Sequence, residues 1–360
     1  MFIDNGKCKW QVRDIKMKIK LCINFHLRNE HMVNTSRRNP TFWMKLVESN
    51  ILIEFIDVTL RGCAQVMFQN NPLTGLLFFA AIFIGAYGEG HPVVAYGCVL
   101  GTIVATLTGV TVRDRKSWRV GLYGYNGCLV GAALPTFLEM NSLVWGCIVL
   151  GSIVSVISTR CIADILKTWK VAALTAPFVF TTWIILLASY AFSNLHSDEL
   201  PLPSFPHQII VETNGMESGH YIFDSLFYGI SQIFLFSSLV GGILFVIGLA
   251  IESLWAAIFA VCGSFLAILT ATIFAANYHS IHLGLYSFSA VLTAISLGCT
   301  FNNPSWQGLI YTLIGVIFTV IVQGALDTLF SPLGIPALTM PFVLVSWLFL
   351  VPNKDIVPVD

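Results

Sequence analysis

Charge is scarce in this 360-residue chain: 11% of residues are Asp, Glu, Lys or Arg, against roughly 25% in a soluble domain. Hydrophobic residues make up 56%, and the mean hydropathy is +0.78. That balance excludes an ordinary water-soluble globule and leaves no basic face for nucleic acid. Ten of the nineteen Lys and Arg lie in the first 45 residues, so the other 315 are nearly uncharged. This is the composition of a polytopic membrane protein.

Catalytic and metal-binding patterns are missing as well. Nine cysteines are scattered without a C-x-x-C pair or a Cys/His cluster, and read as small apolar packing residues. There is no HExxH, no GxSxG and no helical His pair within a span; His279 and His282 stand at a segment end with no carboxylate nearby in sequence. An enzyme would need a nucleophile, base or metal constellation at membrane depth. None is expected, and no cofactor or metal. Proton relays and cation coupling call for intramembrane carboxylates or histidines, and all eight His lie in the tail, loops or segment ends. The basic N-terminus carries an apolar run too short and interrupted for a cleavable signal peptide.

What the chain does have is apolar runs: Leu73–Tyr87, Val93–Val112, Leu143–Ile157, Ala172–Phe192, Ile243–Ile273, Leu309–Leu326 and Ala337–Val351. A crossing takes about 20 such residues for roughly 30 Å of hydrocarbon. Several runs are short or hold Gly and Pro, so tilted, broken or re-entrant segments are expected, about ten crossings in all. The positive-inside rule puts the basic extension 1–45 and Arg160, Lys167 and Lys170 in the cytoplasm. Ser193–Tyr221, with Asp198, Glu199, Glu212 and Glu217 and no Lys or Arg, is placed outside. Arg113, Arg115, Lys116 and Arg119 run against that rule. Within the extension, Ile15, Met17, Ile19, Leu21, Ile23 and Phe25 alternate in a strand-like way. Met32 and Met44 offer alternative starts.

The chain also repeats itself, a feature to read before any motif. LRGCAQVMFQNNPLTGLLF from Leu60 matches FYGISQIFLFSSLVGGILF from Phe227; GLYGYNGCLVGAAL from Gly121 matches GLYSFSAVLTAISL from Gly284. ALTAPFVFTTW from Ala173 matches ALTMPFVLVSW from Ala337. The offsets are 167, 163 and 164, and the order is kept. The expected organisation is a basic extension over 1–45, a first transmembrane repeat over 46–193, an outside linker over 194–222, a second repeat over 223–352 and a short tail over 353–360. Halves joined by an outside loop, with both termini cytoplasmic, each need an odd number of crossings. Five per half gives two inverted repeats, an arrangement that puts a pathway on the pseudo-twofold axis.

Polar residues present in both copies are the pathway candidates. Gln65 and Gln232 must find partners or line water, because an unsatisfied amide in hydrocarbon costs several kcal/mol; a helix-to-helix hydrogen bond is the plainer use of one such Gln. Thr175 and Thr339 each precede a proline, Pro177 and Pro341, which is expected to bend the segment and free a carbonyl. Such irregular backbone belongs in buried protein or beside a cavity. The Gly-aromatic pair reads as two half-membrane, re-entrant helices, with Tyr125 and Phe288 in equivalent places and Leu129 and Leu292 one turn later. Asp164 and Asp327 nearly match but sit towards helix ends. Amides, hydroxyls, carbonyls and aromatic faces suit a small, flat, neutral solute rich in N–H groups.

NNPLTGLL from Asn70, GLYGYNGCLVG from Gly121, LTAPF from Leu174 and LTMPF from Leu338 resemble the urea transporters, most closely the bacterial ones. The resemblance covers everything after residue 45. It implies an all-α homotrimer in the inner membrane, in contact with lipid, each protomer holding its own passive urea channel. It further implies that Gln65 and Gln232 hold urea at two wide sites and that Thr175 and Thr339 line the narrow middle. Phe68, Tyr125 and Leu129 would form one apolar clamp, and Ile233, Phe288 and Leu292 the other. The family's second Asn is Ser289 here, and Tyr125 stands where Phe is frequent. Alternatives are a channel for short amides, ammonia or water, and an ion-coupled urea transporter.

Overall fold

The computed structural model describes residues 42–197, 200–206, 219–302 and 305–352, and in the three longer parts the apolar runs become helix. The strand-like stretch 15–25, part of the 194–222 linker and the tail from 353 lie outside the described residues. The described residues divide into two units, 42–54 and 55–352. Among its described residues the first holds α1 (Phe42–Ser49) and the opening of α2 (Ile51–Ala64).

The second unit continues with α3 (Pro72–Gly88), α4 (Val93–Thr111), the short α5 (Arg115–Arg119), α6 (Gly124–Phe137), α7 (Ser142–Leu166) and α8 (Ala176–Ser189). After the linker come α9 (Gly219–Ser231), α10 (Leu239–Glu252), α11 (Leu254–Ile273), the short α12 (Tyr278–His282), α13 (Phe288–Ile295), α14 (Trp306–Phe330) and α15 (Met340–Leu350). No strand occurs among the described residues. Side-chain caps set many of the starts, because the first N–H groups of a helix lack internal partners. Asn71 accepts from Leu73 N ahead of Pro72, Asn141 from Leu143 N and Val144 N, and Ser238 and Ser305 cap α10 and α14.

Val93–Thr111, Ser142–Trp169, Leu254–Ile273 and Trp306–Leu333 are each long and apolar enough to cross a membrane. Among the described residues two bent pairs raise the count to six if each is one span: α2 with α3, at 72°, and α9 with α10, at 75°. Each bend has a local cause: α2 and α9 run into 3-10 turns, Gln65–Met67 and Gln232–Phe234, that end on left-handed Phe68 (φ 63°) and Leu235 (φ 65°). The apolar run Ile243–Ile273 is not one segment. Ser253 is extended (φ −144°, ψ 108°) and its side chain accepts from Ala256 N, so α10 ends and α11 starts there. With large apolar residues such as Ile184, Ile251, Phe265 and Ile317 exposed, the chain is a multi-pass membrane protein.

Lipid tails are as apolar as leucine, so membrane helices associate through close packing at small residues. Helices α4 and α6 show this: a Cβ on Gly101 would lie 2.1 Å from Gly127 O, and one on Gly131 2.0 Å from Gly97 O. The largest core cluster joins residues from both copies of the repeat. At its centre Phe78, Phe234 and Phe245 are fully buried, with ring centroids 4.9–6.2 Å apart.

Candidate functional site

Thr175 and Thr339 meet. Their hydroxyl oxygens lie 2.6 Å apart, and both residues are 3% exposed. Each occupies the N-cap of its helix, α8 or α15, yet neither makes a side-chain capping bond. The hydroxyls are spent on each other instead. The backbone just ahead is unusual, since Leu174 and Leu338 both have φ 52°, a left-handed conformation that L-residues with a Cβ seldom adopt. Pro177 and Pro341 do not bend a spanning helix as the sequence suggests. Both fall at the start of α8 and α15, where the missing N–H has no intrahelical partner to lose.

The closing tryptophans of the two matched stretches lock this meeting place. Trp183 Nε1 donates to Pro336 O at 2.9 Å, and Trp347 Nε1 donates to Ala172 O at 3.0 Å. Each stretch thus binds the backbone just before the other. The Trp was legible as a matched letter; its carbonyl partner was not.

The GLYxxx segments arrive through tight crossings. Gly121 and Gly284 both have φ 79°, and a Cβ on either would come within 2.5 Å of the backbone N of Gly62 or Gly229. From there α6 and α13 start with Tyr125 and Phe288 in matching positions; both are buried, with Leu129 and Leu292 fully buried behind. Tyr125 Oη donates to Leu174 O at 2.6 Å, whereas Phe288 has no hydroxyl to offer Leu338. Asn126 Oδ1 accepts from Phe178 N at 3.2 Å and its Nδ2 donates to Thr159 Oγ1 at 3.1 Å. Ser289, in the corresponding place, leaves its buried Oγ without a partner among the described residues.

Gln65 and Gln232 stand at the two bends. Gln65 Nε2 donates to Val120 O at 2.8 Å, pinning the backbone beside Gly121. In the second copy Ser237 Oγ lies 3.1 Å from both Gln232 Oε1 and Leu283 O and can donate to either. Phe68 packs edge-on against Phe301 and Phe342, with centroids 5.8 and 6.0 Å away. Its backbone counterpart is Leu235, the other left-handed residue, and not Ile233, which is 2% exposed within the main core. A cavity of about 410 Å³ is lined by Gln232, Leu235, Leu285, Phe288 and Leu338, among others. It reaches from the second glutamine to the residue beside Thr339.

Asp164 and Asp327 do not correspond. Caps Asn141 and Ser305 and the left-handed Lys170 and Gly334 hold α7 and α14 at an offset of 164, which sets Asp327 opposite Ala163. Helix α9 brings Asp224 towards His282 on α12. Burial nonetheless holds the His282 imidazole below its ordinary range, and its Nδ1 lies 3.1 Å from Ser225 Oγ. Among the described residues no group of three or more His, Cys, Asp or Glu could hold a metal ion.

A family profile described as urea transporter matches residues 56–354. "Urea transporter 1" of Rattus norvegicus is 28% identical over 314 residues, which cover 86% of this chain and 79% of the rat protein. The Mus musculus and Capra hircus proteins of that name match over the same shares at 28% and 27% identity. The paired threonines, bent glutamine-bearing helices and Gly-aromatic segments all fall inside the matched span, and the chain belongs to the urea transporter family.

Proposed function

We propose that this protein is a passive urea channel whose pathway runs between Gln65 and Gln232 through the Thr175–Thr339 contact. The observation that carries the reading is the 2.6 Å hydroxyl contact itself, made at two helix N-caps that decline to cap. A buried hydroxyl pair with no other side-chain partner can open to accept N–H groups from a solute and close again without leaving an orphan. Each hydroxyl has two lone pairs and one proton, so it can take a urea N–H or donate to the urea oxygen. Phe68, Tyr125 and Leu129 on one side, and Phe288, Leu292 and Leu235 backed by Ile233 on the other, supply flat apolar walls that strip water and admit a planar solute.

The recurrence of left-handed backbone at Phe68/Leu235, Gly121/Gly284 and Leu174/Leu338, with the reciprocal tryptophan bonds, supports two inverted five-helix repeats over 46–193 and 223–352. In that arrangement α6 and α13 are re-entrant and the 194–222 linker lies outside. We place the protein in the inner membrane as a trimer of independent pores surrounded by lipid, with both termini cytoplasmic. The work is transport rather than catalysis.

Thr175→Val and Thr339→Val keep shape and remove the hydroxyl. Urea flux into proteoliposomes falls roughly three- to tenfold in each, the worth of one net hydrogen bond of about 0.5–1.5 kcal/mol. Unchanged flux in both variants, with normal folding, would place the pathway elsewhere.

A further inference from the structure

The two copies of the repeat differ at one polar place beside the pathway. In the first copy Asn126 on α6 reaches Thr159 on α7. At the offset of 164, Gln323 on α14 replaces Thr159, while Ser289 on α13 replaces Asn126. The amide has moved from one helix to the other, and it no longer bridges them. Gln323 Nε2 instead donates to both carboxylate oxygens of Asp327, at 3.0 and 3.1 Å. Its Oε1 is buried without a partner among the described residues, on a side chain 3% exposed.

Asp327 stands where the first copy has Ala163, so it is no part of the duplicated wall. It lines two cavities. One is the 410 Å³ cavity that also holds Gln232, Phe288 and Gln323; the other, about 760 Å³, lies against α11 and Tyr286. No Lys or Arg occurs between Lys170 and Lys354, and no ion pair to Asp327 forms among the described residues. The carboxylate has about four lone-pair sites, and its only side-chain donor among the described residues is the single Gln323 amide nitrogen.

An anion held by a buried amide N–H donor, with an apolar aromatic wall in the same cavity, makes a receptor for a small planar cation rich in N–H groups. We infer that Asp327 and Gln323 form a binding site for a cation of the guanidinium class in the cavity beside Gln232. Carboxylate and guanidinium match in geometry and pair through charge-assisted bonds, and the Gln323 amide nitrogen holds the carboxylate in place for that pairing. A cation held there fills the cavity next to Gln232 and obstructs urea. This site rests on the reading of that cavity as part of the urea pathway.

The test measures urea flux into proteoliposomes containing the full chain, with and without guanidinium chloride at constant ionic strength. Guanidinium inhibits the wild type, and its half-inhibiting concentration rises about tenfold in Asp327→Asn, the loss of one charge-assisted bond. It rises by a smaller factor in Gln323→Leu, and Asp327→Glu restores most of the inhibition. Absence of inhibition in the wild type, or equal inhibition in the wild type and Asp327→Asn, would overturn the site. Thr175→Val and Thr339→Val, run in the same assay without guanidinium, judge the pathway itself. Their failure to slow urea would overturn that reading separately.

Discussion

A threonine at a helix N-cap ordinarily gives its side-chain oxygen to an N–H of the first turn, an arrangement worth about 1 kcal/mol. Thr175 and Thr339 give that up for each other, and the surrounding residues carry what the caps do not. Asn126 takes Phe178 N in the first turn of α8, while Trp183 and Trp347 tie each helix to the chain ahead of the other. Replacing either tryptophan by Phe removes one donor and leaves a carbonyl short of its partner. Each of Trp183→Phe and Trp347→Phe is expected to cost about 1 kcal/mol, read as a lower half-inactivation temperature in detergent. Two variants as stable as the wild type would show that the reciprocal bonds do not hold the threonines together. In the sequence these tryptophans are visible only as the last letter of a repeated phrase. Their acceptors are backbone carbonyls, which carry no letter of their own.

At the scale of elements, helices α4 and α6 touch backbone to backbone. Gly97 and Gly101 on α4 face Gly131 and Gly127 on α6 so closely that no side chain fits between them. Gly131→Leu forces the helices apart at the point that aims Tyr125 and Leu129, and overpacking of this kind costs at least about 1–3 kcal/mol. It is expected to abolish the monodisperse peak in size-exclusion chromatography. Gly146→Leu on α7, where a Cβ meets nothing within 4 Å, leaves that peak in place. A monodisperse Gly131→Leu protein with full urea flux would mean α6 need not sit where it does. Most long helices were readable from the apolar runs, whereas the bends at Gln65 and Gln232 were not, because the left-handed Phe68 and Leu235 that make them carry no special letter. The break at Ser253 was not readable either, because a single capping serine inside a long apolar run leaves the hydrophobic pattern unchanged.

For the whole molecule, the decisive property is the absence of energetic coupling in the proposed mechanism. The hydroxyl pair, the two glutamines and the aromatic walls exchange hydrogen bonds with urea without gaining or losing a proton or an ion. Net urea movement is therefore expected to stop when concentrations equalise, with or without an imposed proton or sodium gradient across the proteoliposome. Uphill accumulation under either gradient would require coupling and would shift attention to Asp327, the carboxylate lining the cavity beside Gln232.

The sequence alone determined the membrane class, the two copies and the polar pairs worth examining, because composition and self-similarity are properties of the letters. Only the tertiary structure decided that the threonines bond each other, that each tryptophan binds the carbonyl ahead of the other stretch, and that Gln323 bonds Asp327 rather than bridging to α13. Those outcomes depend on which backbone atoms approach across 164 residues and on where caps start each helix. A hydroxyl chooses its partner by position in space, and the chain between the two threonines has to fold before that position exists.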